Sequence, residues 1–147
     1  MKTLMMLALA ATISTTAVTQ DRYFSDARRH RSVDLAPVAQ RYIESLRTGN
    51  DGVVKSALAH ATWMKLMVPE QQFPALRSEI AALSASGSSP EVRYRAYLAS
   101  LVFDRPAMFK GEEEKDFQYG DDLFASLSRR ANIALIGEGD VQYVRAQ

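Results

Sequence analysis

From Asp34 onward the apolar residues of this chain recur at intervals of three and four, and no run alternates with a period of two. Leu35, Val38, Tyr42 and Leu46 share one face of a first helix. Phe73, Leu76, Ile80 and Leu83 make the stripe of a later one, with Arg77, Ser78 and Glu79 on its polar side. β-Branched residues, which favour strands, are sparse. The periodicity predicts an all-α chain.

Breakers and caps place the helices. Thr48-Gly49-Asn50 stops the first, with Gly49 as C-terminal cap and Asn50 as N-cap of the second. Pro69 ends the second, SASGSS is a turn, and Ser89 caps the fourth with Pro90 at its first position, where a missing N–H costs nothing. Asp121 or Asp122 caps a last helix bearing Leu123, Phe124, Leu127 and Ala131, and Gly137 is read as its end. The predicted helices are 35–48, 53–68, 74–85, 90–103 and 121–136. They form one domain over 34–137, followed by a C-terminal tail, 138–147. Between Phe109 and Phe117 the charge run KGEEEKD reads as a solvated loop, because its consecutive carboxylates lack the alternate spacing of a calcium loop.

The second and fourth helices are apolar over most of their circumference. In the second, Val53, Ala57, Trp63, Met64 and Met67 cover a broad sector, with Lys55 and Thr62 as the polar strip. In the fourth, Val92, Ala96, Ala99 and Phe103 lie opposite Tyr94, Leu98, Leu101 and Val102. Arg93 and Ser100 make a narrow strip there, with Arg95 apart from it. Such helices are packed from several sides, whereas the first and third are one-sided. The expected arrangement is two inner helices flanked by two outer ones.

The inner helices also match each other. At an offset of 39 residues Val53 falls on Val92, Ala57 on Ala96 and Ala61 on Ser100. A self-match at this period, one helical hairpin per unit, marks an α-solenoid. SSPEVRYRAYLA resembles the second-helix signature of HEAT repeats, a turn followed by Val-Arg and then Ala, carried here by Val92, Arg93 and Ala96. The first copy departs from it, with Val54 where the Arg would stand and Lys55 one place later. The resemblance covers roughly residues 34–104. It implies a short right-handed α-solenoid-like bundle of antiparallel helix pairs that presents a binding surface. It also implies that Arg93 bonds within the stack, to a carbonyl or carboxylate of the preceding unit, with Asp51 the nearest acidic candidate. The chain is further similar to small exported bacterial proteins with this helix order, a likeness that brings no activity with it.

The amino terminus reads as an export signal. Lys2 precedes the apolar run Leu4 to Ile13, and STTA supplies small residues for cleavage after Ala17. A run of that length is too short to cross a bilayer, and no Cys follows it to carry a lipid anchor. Residues 1–17 are therefore expected to be removed, leaving a periplasmic or secreted product. Residues 18–33, with Arg28, Arg29, His30 and Arg31 among aspartates, read as an exposed basic leader. Removal of Lys2 lowers Lys plus Arg from 18 to equal the 17 Asp plus Glu, so no general field favours nucleic acid or an anionic membrane. The absence of Cys means that the fold stands on packing alone.

No Gly-x-Ser-x-Gly elbow, His-Glu-x-x-His pair or phosphate loop is present. The two histidines lie apart, His30 in the leader and His60 on an apolar face, so neither a cofactor nor a metal is expected. The reading is a non-enzymatic helical-repeat module for a protein or peptide partner. Two alternatives stand beside it: a small-molecule or lipid-binding protein with Trp63, Met64, Met67 and Phe103 lining a pocket, and an enzyme of unfamiliar type. At the offset of 39, Lys55 and Thr62 correspond to Tyr94 and Leu101, with Tyr97 beside them. Terminal repeats are commonly capped, which predicts that the helix after Asp121 covers Tyr94, Tyr97 and Leu101. Left open, the sector would form a binding surface of Lys55, Tyr94, Arg95 and Tyr97, residue types that anchor interfaces.

Overall fold

The computed structural model describes residues 34–145, with only the backbone described at Leu135 and over 137–145. The export signal and the basic leader lie outside the described residues. The helices are α1 (Ala36–Leu46), α2 (Asp51–Met67), α3 (Pro74–Ser86), α4 (Pro90–Asp104) and α5 (Gly120–Arg145), with two short 3-10 turns, Pro106–Phe109 and Glu112–Glu114, before α5. No strand occurs among the described residues.

The capping chemistry sets the starts. The Asn50 side chain accepts from the Val53 N–H at 3.2 Å, and Gly49 before it takes a left-handed φ of 71°. Ser89 accepts from the Val92 N–H at 3.3 Å, with Pro90 opening α4. The α3–α4 turn demands a glycine for another reason. A Cβ on Gly87 would stand 2.7 Å from the Leu83 carbonyl and 2.9 Å from Val92 Cγ1.

α1 packs on α2 and α3 on α4, while α2 lies against α4 and α1 against α3. The inner pair is thus adjacent, as the broad apolar faces of α2 and α4 require. Arg47–Glu79 at 2.7 Å ties α1 to α3, Lys55–Glu91 at 3.0 Å ties α2 to α4, and Arg77–Asp104 ties α3 to the end of α4. Leu58, Ala61, Leu76, Ile80, Val92, Ala96 and Val102 form the middle of the core, and Leu123 and Leu127 bring α5 onto it. Each Leu, Ile or Val so buried contributes about 1.5–3 kcal/mol of hydrophobic stabilisation. That scale makes packing, rather than the exposed ion pairs, what holds the bundle.

Several expectations are corrected. α5 does not stop at Gly137. Its backbone stays helical to Arg145, so the expected tail 138–147 is helical for most of its length. An interior glycine weakens a helix, but it ends one only where the chain turns away into a left-handed cap. Thr62, expected on the polar strip of α2, is fully buried. Its hydroxyl donates to the Leu58 carbonyl at 2.6 Å, which satisfies it inside the core. Val53, expected in the core, is 41% exposed, whereas its counterpart Val92 is fully buried, so the two positions are not equivalent in packing. The charge run 110–116 is not simply solvated. Phe109 and Phe117 are buried at its ends, Phe117 edge-on to Trp63 with ring centroids 5.7 Å apart. Between them Glu112 is buried, accepting from Lys115 and from the Ser126 hydroxyl, each at 2.7 Å. Lys115 also donates to Ser126 Oγ at 2.8 Å. This three-way contact fastens the segment to α5.

Candidate binding surface

α4 packs against α3, α2 and α5, and one sector of it stays partly open to solvent. On that sector Tyr94 is 50% and Tyr97 42% exposed, one helical turn apart. Leu101, a further turn along, is partly buried against the core. The predicted coverage is therefore overturned. α5 buries Leu123, Phe124 and Leu127 against the bundle and meets Tyr94 by a 2.7 Å bond between the phenol and Ser128 Oγ, without burying either tyrosine. That bond holds one edge of the Tyr94 ring while leaving half of the residue open.

The charged members of the expected surface play a different part. Glu91, exposed at the start of α4, accepts from Lys55 of α2 at 3.0 Å and from Arg95 one turn along. Arg95 also pairs with Asp121 at 2.7 Å and lies over the Phe124 ring, 5.4 Å from its centroid. Lys55, Glu91, Arg95 and Asp121 thus form one chain of charges joining α2, α4 and α5. Hydrogen bonding from Lys55, and then the nearby Arg95 charge, holds the Glu91 carboxyl below its ordinary range. The Arg95 side chain is mostly buried in this arrangement, so it fixes the α4–α5 angle beside the tyrosines rather than standing out from the surface. The four residues expected together do cluster, with the tyrosines outward and the charges spent between helices.

Arg93 bonds to a carbonyl, as expected, but not to Asp51: its guanidinium donates to the Gly87 carbonyl at 2.8 Å, in the turn just before its own helix. Asp51 is engaged instead by the Ser88 hydroxyl, and bonds from Ser88 and then Ser89 lower its pKa. The α3–α4 turn is therefore held from both sides.

His60 is half-buried, its Nδ1 2.9 Å from the Ser56 carbonyl and its ring stacked on Tyr42 at 6.4 Å. Burial raises the Tyr42 pKa. Trp63, Met64 and Phe103, proposed lining of a small-molecule pocket, are packed in the core. A cavity of about 340 Å³ lies elsewhere, where the end of α2 meets the segment after α4, lined by Leu66, Pro69, Pro106 and Phe109 with Glu70, Lys110 and Glu113 at its polar wall. No group of three or more potential ligands that could hold a metal ion occurs among the described residues. No described helix is long and apolar enough to cross a membrane.

Sequence reasoning missed Lys65. It lies in the apolar run TWMKLM and is only 2% exposed, its ammonium donating to the Pro69 carbonyl at 2.6 Å and the Gln71 carbonyl at 2.8 Å. Those bonds satisfy carbonyls just past the C-terminus of α2. Burial lowers its pKa, opposed by the charge of Glu70. The signal was in the sequence: a Lys amid core residues four positions before a helix-ending Pro.

What the surface offers chemically is two phenol rings on a rigid helix, with apolar faces for packing and hydroxyls for hydrogen bonding. No protein-family model, curated protein or solved structure matches the chain.

Proposed function

We propose that this protein is an exported, non-enzymatic helical-repeat module whose stacked hairpins, α1–α2 and α3–α4, present α4 to a protein or peptide partner. The observation that carries the reading is the exposure of Tyr94 and Tyr97 on a helix whose other faces are packed. Aromatic side chains exposed on a rigid scaffold give contact area at low entropic cost, and tyrosine is among the residues that dominate interface energetics. Lys55 and Arg95 support the surface from beside it by fixing α2 and α5 against α4. In the HEAT-like reading the adjacency of α2 with α4 and of α1 with α3 is the stacking of one unit on the next.

Affinity capture from the exported fraction of the producing organism tests the binding reading. The wild-type protein should retain a discrete partner that Tyr97→Ala loses, with the melting temperature nearly unchanged because the ring is half outside the core. Equal capture by both proteins would remove the tyrosines from the interface. Export has its own test. The N-terminus of the secreted or periplasmic protein should lie near Val18, and a retained Met1 in that fraction would contradict it.

A further inference from the structure

The second half of α5 carries an apolar face that nothing in the described fold uses. Ala131 is the last side chain described as buried along the helix, and just beyond it Ile133 and Ile136 are each 68% exposed, the most open large apolar residues described. The helix nevertheless continues to Arg145, through Gly137 and Gly139. Glycines are poor helix formers, so a helix continued through them gains most from packing on a neighbour. Among the described residues nothing buries the two isoleucines.

The sequence of this face says what the neighbour is. Positions 129, 133, 136 and 140 follow the four-three-four spacing of a coiled-coil seam, and at 100° per residue they fall within about 60° of one another. They read Arg129, Ile133, Ile136 and Asp140, with Arg129 exposed. The order reverses onto itself with opposite charge. If two such helices lie antiparallel about an axis midway between 134 and 135, position 133 of one faces 136 of the other, and 129 faces 140. Isoleucine meets isoleucine, and basic meets acidic, at both ends. An unrelated partner would not require that symmetry. A membrane surface would be disfavoured by an aspartate on the apolar seam, since interfacial helices keep acidic residues off the face they insert.

We propose that the exposed face of α5 is a homodimer contact, in which the helix pairs antiparallel with α5 of a second copy through Ile133 and Ile136, flanked by position 129 against 140. This stands apart from the tyrosine surface of α4, and neither claim depends on the other.

Sedimentation equilibrium of the full mature chain across a range of concentrations tests it. A monomer–dimer equilibrium is expected, and Ile133→Lys should weaken it by at least about tenfold. Charge reversal gives the sharper result. Arg129→Asp alone and Asp140→Arg alone each place like charges together twice in a two-fold dimer, and each should raise the dissociation constant about tenfold. Mixing those two single variants should restore dimers near wild-type strength, as should the double variant Arg129→Asp/Asp140→Arg, because both arrangements return opposite charges at each end. Arg129 and Ile133 are exposed, and an unchanged melting temperature in each variant would show that folding is intact. A protein that sediments as a monomer at every concentration overturns the proposal. So does a dimer indifferent to Ile133→Lys, or a mixture no stronger than its components. A monomer that binds vesicles of anionic lipid and loses that binding in Ile133→Lys would assign the face to a membrane instead.

Discussion

Replacing Lys65 with methionine probes the least expected feature of the core. Methionine keeps an unbranched stem of similar volume, so the change removes the ammonium and little else. The loss comprises two charge-assisted hydrogen bonds, to the Pro69 and Gln71 carbonyls, each worth about 1.5–3 kcal/mol. Against this, methionine escapes the desolvation of a buried cation, which amounts to roughly several kcal/mol before its partners offset it. The lowered pKa shows that the offset is incomplete. Pro69 and Gln71 are themselves exposed, so water takes over part of the carbonyl bonding. The net expectation is a loss of about 1–3 kcal/mol, read as a fall of about 4–8 °C in melting temperature per kcal/mol for a domain of this size. Lys65→Ala removes three buried stem carbons as well, at about 0.8 kcal/mol each, and should be worse by about 2 kcal/mol. Urea unfolding followed by circular dichroism measures both. The pH dependence carries an independent sign. Because the folded pKa lies below the ordinary lysine value of 10.5, the unfolded chain binds more protons between the two values. The stability of wild type relative to Lys65→Met should therefore rise with pH through that window and level off above it. A Lys65→Met protein as stable as wild type, with no such pH trend, would refute the assignment of Lys65 as the fastener of the α2 terminus.

Glu112→Gln should destabilise by about 1–3 kcal/mol, since it breaks a charged contact to Lys115 and alters the acceptor of Ser126. Hydrogen exchange should show the loss concentrated in the first half of α5. An unchanged exchange pattern would mean that Phe109 and Phe117 hold the segment without it. Glu91 carries a pH prediction of the same sign as that of Lys65, in the acid range rather than the alkaline one. Its folded pKa lies below the ordinary 4.5, so its contribution is present above that value and is lost as pH falls through the folded pKa. The melting temperature of Glu91→Gln should accordingly decline less than wild type on acidification from neutral pH, and a parallel decline would exclude Glu91 as a source of acid sensitivity.

The starts and stops of the first four helices were legible because each rests on local chemistry: Asn50 and Ser89 as caps, Pro69 and Pro90 as boundaries, Gly49 as the left-handed stop. Adjacency of α2 and α4 followed from their broad apolar faces, since a helix with little polar surface must have neighbours on most sides. What escaped depends on contacts between segments distant in sequence. Thr62 is buried because its hydroxyl bonds backward to Leu58, and Glu112 because α5 brings Ser126 to it. Neither is visible from residue polarity. The same limit applied to the candidate surface. The sequence placed Lys55, Tyr94, Arg95 and Tyr97 in one region, but which would face outward was decided by Asp121 and Phe124 on α5, which draw Arg95 inward and leave the tyrosines open. The extent of α5 was misjudged because a single glycine was given more weight than the helix around it.

The central claim, that the Tyr94–Tyr97 face receives a protein partner, is tested most directly by a photoreactive phenylalanine analogue placed at position 97 in the producing cell. The same probe at Ser78, exposed on α3, controls for surface encounters that have nothing to do with α4. Illumination should yield a discrete protein adduct from position 97 and none from position 78. Adducts identical at the two positions, or none at either, would contradict the account.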